Sequence, residues 1–433
     1  MANITTSLRF MTAEYEGEIG VGTAPGGGPL FRAAVVFDTG STNLWVASVL
    51  CRAGPCAGGA ARAFYDPRKS VTQEEADYDG NDITVKFGTG ELVGPLHVDT
   101  YHVGPMRVNH QPFAMIREMR GRVFEEFPFE GILGLGFPSL SFGGIEPFLE
   151  RVIRKKALTR NEFAFYMNAD VSKPSAVLWG GVDQALYERP MLMFPVVQPH
   201  YWALDLLDFS IGNESFGGFG GEHVRRLVVD TGTLYFTAPH WMFHRVRARL
   251  PSALCSEVRS GRLADTFPPL VYTLRNANGC VHRLEIPAAT YMVGHDAVSA
   301  NMLEDGTCSP AFMKMDVPRE FGPAMLMGEV FLRSFFTVFS RGDGDVKNAK
   351  IGFAKAKLGA IPRDVSEPNF LQSADEAAAA DAVLEEQLAS SGMSLGVEAS
   401  ADAAAPPLPS AARARRAPPR RRLIRAEDPP PAR

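Results

Sequence analysis

Two distant stretches of this chain repeat one another. Val35-Val36-Phe37-Asp38-Thr39-Gly40-Ser41-Thr42 and Leu227-Val228-Val229-Asp230-Thr231-Gly232-Thr233 are each an apolar run with strand preference that breaks into Asp-Thr-Gly. A single copy reads as a strand ending in a turn, in which aspartate bonds its own backbone and glycine supplies positive φ. Two copies, each with hydroxyl residues on both sides of the glycine, point to a duplicated unit. Such a duplication brings two carboxylates together, and the pair can do acid and base chemistry on one water.

Other features follow the same order in both halves. The first Asp-Thr-Gly is followed by Gly131-Ile132-Leu133-Gly134, the second by Ala324-Met325-Leu326-Met327-Gly328. This repeat is too long for a solenoid, so two similar lobes are expected: 1–187 with Asp38 and 188–358 with Asp230. Most of the remaining pattern is β. Residues 13–23 alternate loosely and are expected to hold strands joined by a hairpin. Ile83 to Val93 reads as a hairpin around Gly88-Thr89-Gly90, by itself an ordinary surface hairpin. A strand pair is expected from Leu96 to Val103, and further strands at Tyr201–Phe209 and from Pro268 to Leu274. Two helical patterns interrupt them, Ile145–Lys156 with an apolar stripe and Pro239–Leu250. Gly20-Val21-Gly22 is no nucleotide loop, because Pro25 stands where a third glycine belongs.

Composition excludes several classes of function. With 433 residues, 45% hydrophobic and 21% charged, the chain can bury a large core. A net charge of −5 favours no polyanionic partner, so nucleic acid is not expected. No apolar run reaches the ~18–20 residues of a membrane helix. The opening Met1-Ala2-Asn3-Ile4-Thr5-Thr6 lacks the basic start and apolar core of a secretory signal. Cys51 and Cys56 have a spacing open to a small disulfide loop or a metal pair. With no His or Cys pair of ligand spacing nearby, the disulfide is favoured and no metal is expected. A disulfide implies an oxidising compartment. After about Leu358 the character changes. Ser373-Ala374-Asp375-Glu376 resembles a capping box before one alanine-rich helix ending near Leu388. Beyond it, Arg413-Ala414-Arg415-Arg416 and Arg420-Arg421-Arg422 read first as a solvated, disordered tail, with a tail-mediated contact to an anionic partner as the weaker alternative.

If the lobes bring Asp38 and Asp230 together in a buried cleft, the two share one proton over a wide acidic range. The ionised member takes a proton from water while the protonated one polarises a carbonyl, giving a tetrahedral diol without a covalent intermediate. Ser41 and Thr233 are placed to bond the outer carboxylate oxygens, and Thr39 and Thr231 to lock the turns together. Glycosidases also use two carboxylates, but flanking a sugar and without symmetric turns. The symmetry favours amide hydrolysis.

Five motifs, in order and spacing, resemble the pepsin family of aspartic endopeptidases. They are Phe37-Asp38-Thr39-Gly40-Ser41-Thr42-Asn43-Leu44-Trp45-Val46, Phe87-Gly88-Thr89-Gly90, Phe129-Glu130-Gly131-Ile132-Leu133-Gly134-Leu135, Val229-Asp230-Thr231-Gly232-Thr233 and Gly328-Glu329-Val330-Phe331-Leu332-Arg333. The resemblance runs from about Ala13 to Leu358. It implies an all-β, bilobal fold with a cleft for an extended peptide, a flap over the cleft, and Asp38 and Asp230 as the catalytic pair. It further implies that Val36, Phe87, Phe129 and Ile132 line the pocket before the scissile bond, with Gly88, Thr89 and Gly232 also in the substrate site. Tyr201, Met315 and Val317 would line the pocket after it. Each of these apolar residues also suits a plain core.

By the same resemblance Cys51 pairs with Cys56 and Cys255 with Cys308, leaving Cys280 unpaired. The implied enzyme cleaves polypeptides between bulky apolar residues. It is expected to be a monomer without cofactor, in the secretory pathway, an acidic vesicle or the extracellular space; the chain shows neither signal nor prosegment, so the expectation is either that they are missing from it or that the enzyme lacks self-inhibition.

Three residues depart from the family pattern. Phe87 stands where a flap tyrosine is usual, a change shared by some plasmepsin-like enzymes that implies altered specificity. Leu234 replaces a hydroxyl residue that helps hold substrate backbone, and Glu329 replaces an aspartate, which implies a shifted pH optimum. Phe87 and Leu234 also motivate a rival expectation, a weak or inactive peptide-binding module.

Overall fold

A computed structural model of the chain describes residues 4–381, apart from 12–13, 53–54, 56–63, 77–81, 88–89, 122–123, 125–128, 171, 220–221, 295–305, 364–372 and 380. The arginine clusters and the end of the alanine-rich helix near Leu388 lie outside the described residues.

The fold is all-β and bilobal, organised by one long sheet and one shorter one. The 13-stranded sheet has Tyr187–Pro195, Lys350–Ala356 and Phe335–Ser340 as its first three strands at one edge, and Pro29–Asp38 and Leu44–Ala47 beyond its centre toward the other. Both halves of the sequence contribute strands to it. Glu162–Tyr166 pairs antiparallel with Phe335–Ser340, Phe163 opposite Phe339. These two rings stack at 5.1 Å, and Trp202 meets Phe339 edge-on at 5.1 Å. Aromatic contacts of this kind add to the burial of large apolar area, so the lobes share a core. The second sheet runs through Val281–Ile286, Leu270–Arg275, Ala203–Ile211, Arg226–Val229 and Ala324–Met327.

The repeat in the sequence becomes a repeat in topology. Gly131–Gly134 lies parallel to Pro29–Asp38, with Ile132 opposite Val36 and Gly134 opposite Asp38. Ala324–Met327 lies parallel to Arg226–Val229, with Met327 opposite Val229. Parallel neighbours need a long crossover, and in each half that crossover places the strand ending before glycine against the strand ending before aspartate. The glycines permit the approach. A Cβ on Gly134 would stand 2.6 Å from Thr42 Cα, and one on Gly328 would stand 2.6 Å from the Tyr235 carbonyl.

Some boundaries differ from the sequence expectation. The expected hairpin within residues 13–23 is not there: Glu14–Thr23 is one strand, and its turn to Pro29–Asp38 lies at residues 24–28, while residue 13 lies outside the described residues. There Ala24 N donates to the Gly28 carbonyl at 2.8 Å and Gly27 adopts φ +91°. Leu96–Val103 is likewise one strand, not a pair, and its partner is Met106–Ile116 across Gly104, at φ +54°. The first helix is shorter than its pattern, Phe148–Arg154, because Pro147 sits at its start and holds the residue before it out of helix. The second helix, His240–Arg249, matches its pattern closely.

Candidate active site

Each Asp-Thr-Gly turn leaves a buried strand and enters the interface between the two sheets. Asp38 and Asp230 are 8% and 7% exposed. The turns interlock reciprocally. Thr39 N donates to Thr231 Oγ1 at 2.9 Å, and Thr231 N donates to Thr39 Oγ1 at 3.0 Å. Each threonine hydroxyl then donates to a carbonyl of the other half, Thr39 to Val229 at 2.9 Å and Thr231 to Phe37 at 2.6 Å. Four groups that burial would otherwise strand are thereby paired.

The interlock presses the aspartates together. A Cβ on Gly40 would stand 2.5 Å from the Asp230 carboxyl, and one on Gly232 would stand 2.7 Å from Asp38 Cγ. Only glycine leaves room for the opposite carboxylate. On its own side, Asp38 accepts from Gly40 N at 2.8 Å and from the Ser41 hydroxyl. Asp230 accepts from Gly232 N at 2.9 Å and from Thr233 Oγ1 at 2.7 Å. Burial raises both carboxyls above the usual carboxylate range, and Asp230's charge raises Asp38 further. The opposing bonds from Ser41, Thr233 and the glycine amides favour ionisation.

Two apolar clusters include residues of the strands that lead into the pair, Val36 before Asp38 and Val228 before Asp230. Val36, Phe129 and Ile132 pack in one cluster with Trp45, Ile83 and Leu92. Ile83 and Leu92 belong to the antiparallel strands Ile83–Phe87 and Gly90–Gly94, the latter also paired with Glu118–Arg120. The hairpin therefore rises from the same cluster as Val36. Phe87 ends its strand opposite Gly90, while Gly88 and Thr89 lie outside the described residues. On the other side, Tyr201, Met315 and Val317 pack on Ala203, Val228, Ala324 and Leu326. The Tyr201 hydroxyl is raised first by burial and then by the charges of Asp230, Glu320 and Asp38.

Sequence reasoning missed the neighbours of this second cluster. His200 stacks on Phe321 at 3.8 Å, and the two join Gln198 and Arg226 around a small pocket with Tyr201 and Val317. Nothing marks His200 in sequence beyond its place before Tyr201. Behind Asp230, Glu329 is 1% exposed, accepts from Tyr15 N at 3.0 Å and pairs with Arg333 at 3.3 Å. Burial outweighs Arg333 and pushes the Glu329 carboxyl up to about 7.

Cys255 and Cys308 form a disulfide, and Cys51 is disulfide-bonded, while Cys56 lies outside the described residues. Cys280 is an exposed free thiol. Among the described residues no cluster of three or more His, Cys, Asp or Glu is fit to hold a metal, and no helix is long and apolar enough to cross a membrane.

A model of the eukaryotic aspartyl protease family matches residues 14–356. The chain belongs to that family. Aspartic protease 3 of Toxoplasma gondii is 34% identical over 355 residues, which cover 81% of this chain and 51% of that protein. The chain thus spans about half the length of this relative. Pepsin A of Sus scrofa is 30% identical over 348 residues, 80% of this chain and 82% of the relative. Pepsin A of Gallus gallus is 29% identical over 337 residues, 78% and 84%. The family match contains both Asp-Thr-Gly turns of this pepsin-like aspartyl protease, both apolar clusters and the strands Ile83–Phe87 and Gly90–Gly94, so the geometry above lies wholly inside it.

Proposed function

We propose that this aspartyl protease is an endopeptidase in which Asp38 and Asp230, contributed by lobes 1–187 and 188–358, activate one water against a peptide carbonyl. The reciprocal packing of the two turns is the observation that supports it. The ionised carboxylate accepts a proton from water, whose oxygen forms the new bond to the carbonyl carbon. The protonated carboxyl gives its proton to the carbonyl oxygen, making a neutral diol. Collapse of the diol returns a proton to the carboxylate pair, breaks the C–N bond and protonates the leaving amine. Ser41 and Thr233 hold the outer carboxylate oxygens, and Thr39 and Thr231 hold the turns in register, so little reorganisation is needed during reaction.

Val36, Phe87, Phe129 and Ile132 before the scissile bond, and Tyr201, Met315 and Val317 after it, favour bulky apolar side chains, with Gly88, Thr89 and Gly232 along the peptide backbone. The substrate is a polypeptide and the working unit a monomer. The Cys255–Cys308 disulfide supports a place in the secretory pathway, an acidic vesicle or the extracellular space.

The test is cleavage of an unfolded protein at acidic pH and its inhibition by pepstatin. Asp38→Asn is expected to abolish cleavage, and an Asp38→Asn protein as active as the parent would overturn the mechanism. Peptide binding without cleavage from about pH 3 to about 7 would leave a binding module instead.

A further inference from the structure

The family match ends at residue 356, but the packing does not. Residues 374–379 and 381 are helical and lie against the outer face of the long sheet. Ala374 and Ala377 are buried there in a cluster with Tyr166, Leu178, Tyr187, Phe336 and Val338. Asp381 is 1% exposed. These three positions follow i, i+3 and i+7, one face of a helix, and the two alanines let its backbone approach the sheet closely.

The polar contacts at this face reach strands from both halves of the chain. Ala374 N donates to Glu162 Oε1 at 3.2 Å, beside the pairing of Arg160 with Glu376 at 3.8 Å. Lys350 meets Asp375 at 2.7 Å. Asp381 pairs with the Arg189 guanidinium and accepts from Met191 N at 2.7 Å. The sheet thus presents Arg160, Arg189 and Lys350 to a helix that carries Asp375, Glu376 and Asp381. A carboxylate as buried as Asp381 is tolerated only when its partners are in place, so its position argues for a specific seat.

We propose that residues 373–381 are a strap built into the catalytic unit. The strap docks through Ala374, Ala377 and Asp381 on the back of the interlobe sheet and ties Glu162, Arg189 and Lys350 together. Its occupant is the chain's own segment, and its job is to hold strands of the two halves in one sheet on the side away from the dyad.

The most direct readout is hydrogen exchange at the Met191 amide in the full chain. Asp381→Ala and Ala377→Arg are each expected to speed that exchange about tenfold or more, since its acceptor leaves. A chain ending at residue 363 is expected to melt lower by on the order of 5 °C. A peptide of residues 371–388 added in trans should restore the melting temperature, and a scrambled peptide should not. Unchanged exchange at Met191 in both full-length variants would overturn the proposal, even if the shortened chain fails to fold. So would an unchanged melting temperature after truncation. Because neither readout involves peptide cleavage, failure here is separate from failure of the proposed activity.

Discussion

Leu135 and Glu329 occupy the same place in the two halves. Each follows the glycine that ends a strand packed parallel to the strand entering an Asp-Thr-Gly turn. Leu135 is fully buried, its N donates to the Asp38 carbonyl at 2.7 Å, and its carbonyl accepts the Trp202 indole N–H at 2.9 Å. Glu329 is as buried, its N donates to the Thr233 carbonyl at 2.8 Å, and its carboxyl is held by Tyr15 and Arg333. The parallel strand pair has been kept in both halves, while the acceptor of the amide has moved from the aspartate itself to the threonine three residues after it, and the side chain behind the turn has changed from apolar to ionisable. Asp38 therefore has a leucine behind it, whereas Asp230 has a group whose charge changes with pH.

The symmetric part of this comparison is broken most severely at the carboxylates. Asp38→Asn and Asp230→Asn are each expected to lower kcat by about a thousandfold or more, because either change removes the shared proton's acceptor or donor. Cleavage of one fluorogenic peptide by both variants measures it. Full activity in one of them would show that the two carboxylates do not act as a pair.

The next effect is on stability. Thr39→Val and Thr231→Val each remove one acceptor of a buried amide and one donor to a buried carbonyl. A cost of about 1–3 kcal/mol is expected for each, and the two costs should be similar. Guanidinium titration at acidic pH compares them. A much larger loss for one would show that the interlock is symmetric in geometry only.

The asymmetric part is tested by pH. The folded Glu329 carboxyl is raised from 4.5 to about 7. Over that window the folded state binds the proton more tightly than the unfolded state, so stability falls as pH rises from 4.5 and levels off above about 7. Glu329→Gln keeps an acceptor for Tyr15 N but cannot ionise, so the parent's stability relative to the variant should decline through this window. The groups around Glu329 are Arg333, which opposes the rise, and Asp230, which adds to it. Asp38 and Glu162, also raised to about 7, give the parent and the variant the same background slope. Melting temperatures of both proteins across the window, with Leu135→Gln as a control lacking the differential slope, decide the matter. A stability difference independent of pH would place the proton elsewhere.

Much of the architecture was legible because it is written locally. Apolar runs breaking at Asp-Thr-Gly mark strand ends, and the second apolar run before glycine marks the crossover strand in each half. What was not legible depends on contacts distant in sequence. The locking of the turns by Thr39 and Thr231 was expected, but nothing around Thr39 names the Val229 carbonyl as its acceptor, and nothing around Glu329 says that it meets the amide of Tyr15. Element limits failed where one residue overrides a pattern, as Gly104 does by turning Leu96–Val103 back on Met106–Ile116. The pocket residues were read through family resemblance rather than pattern, since Val36 or Val317 alone is indistinguishable from core. That is also why His200 and Phe321, which stack beside Tyr201, escaped notice.

The smallest expected effect concerns the first half's hairpin of Ile83–Phe87 and Gly90–Gly94. Phe87 ends the strand Ile83–Phe87, and Phe87→Tyr adds one hydroxyl at the position where the family usually has one. A single neutral hydrogen bond contributes about 0.5–1.5 kcal/mol net, which corresponds to about two- to tenfold in rate. The variant should therefore change kcat/KM by less than about tenfold on the parent's best peptide, while shifting its preference among side chains before the scissile bond. Competing peptides that differ only at that residue separate the two effects. A gain of a hundredfold or more would exceed what one hydrogen bond supplies. It would mean that the hairpin's conformation, not the geometry of the paired turns, limits the parent enzyme, and that the two halves differ more at this hairpin than in the acid behind Asp230.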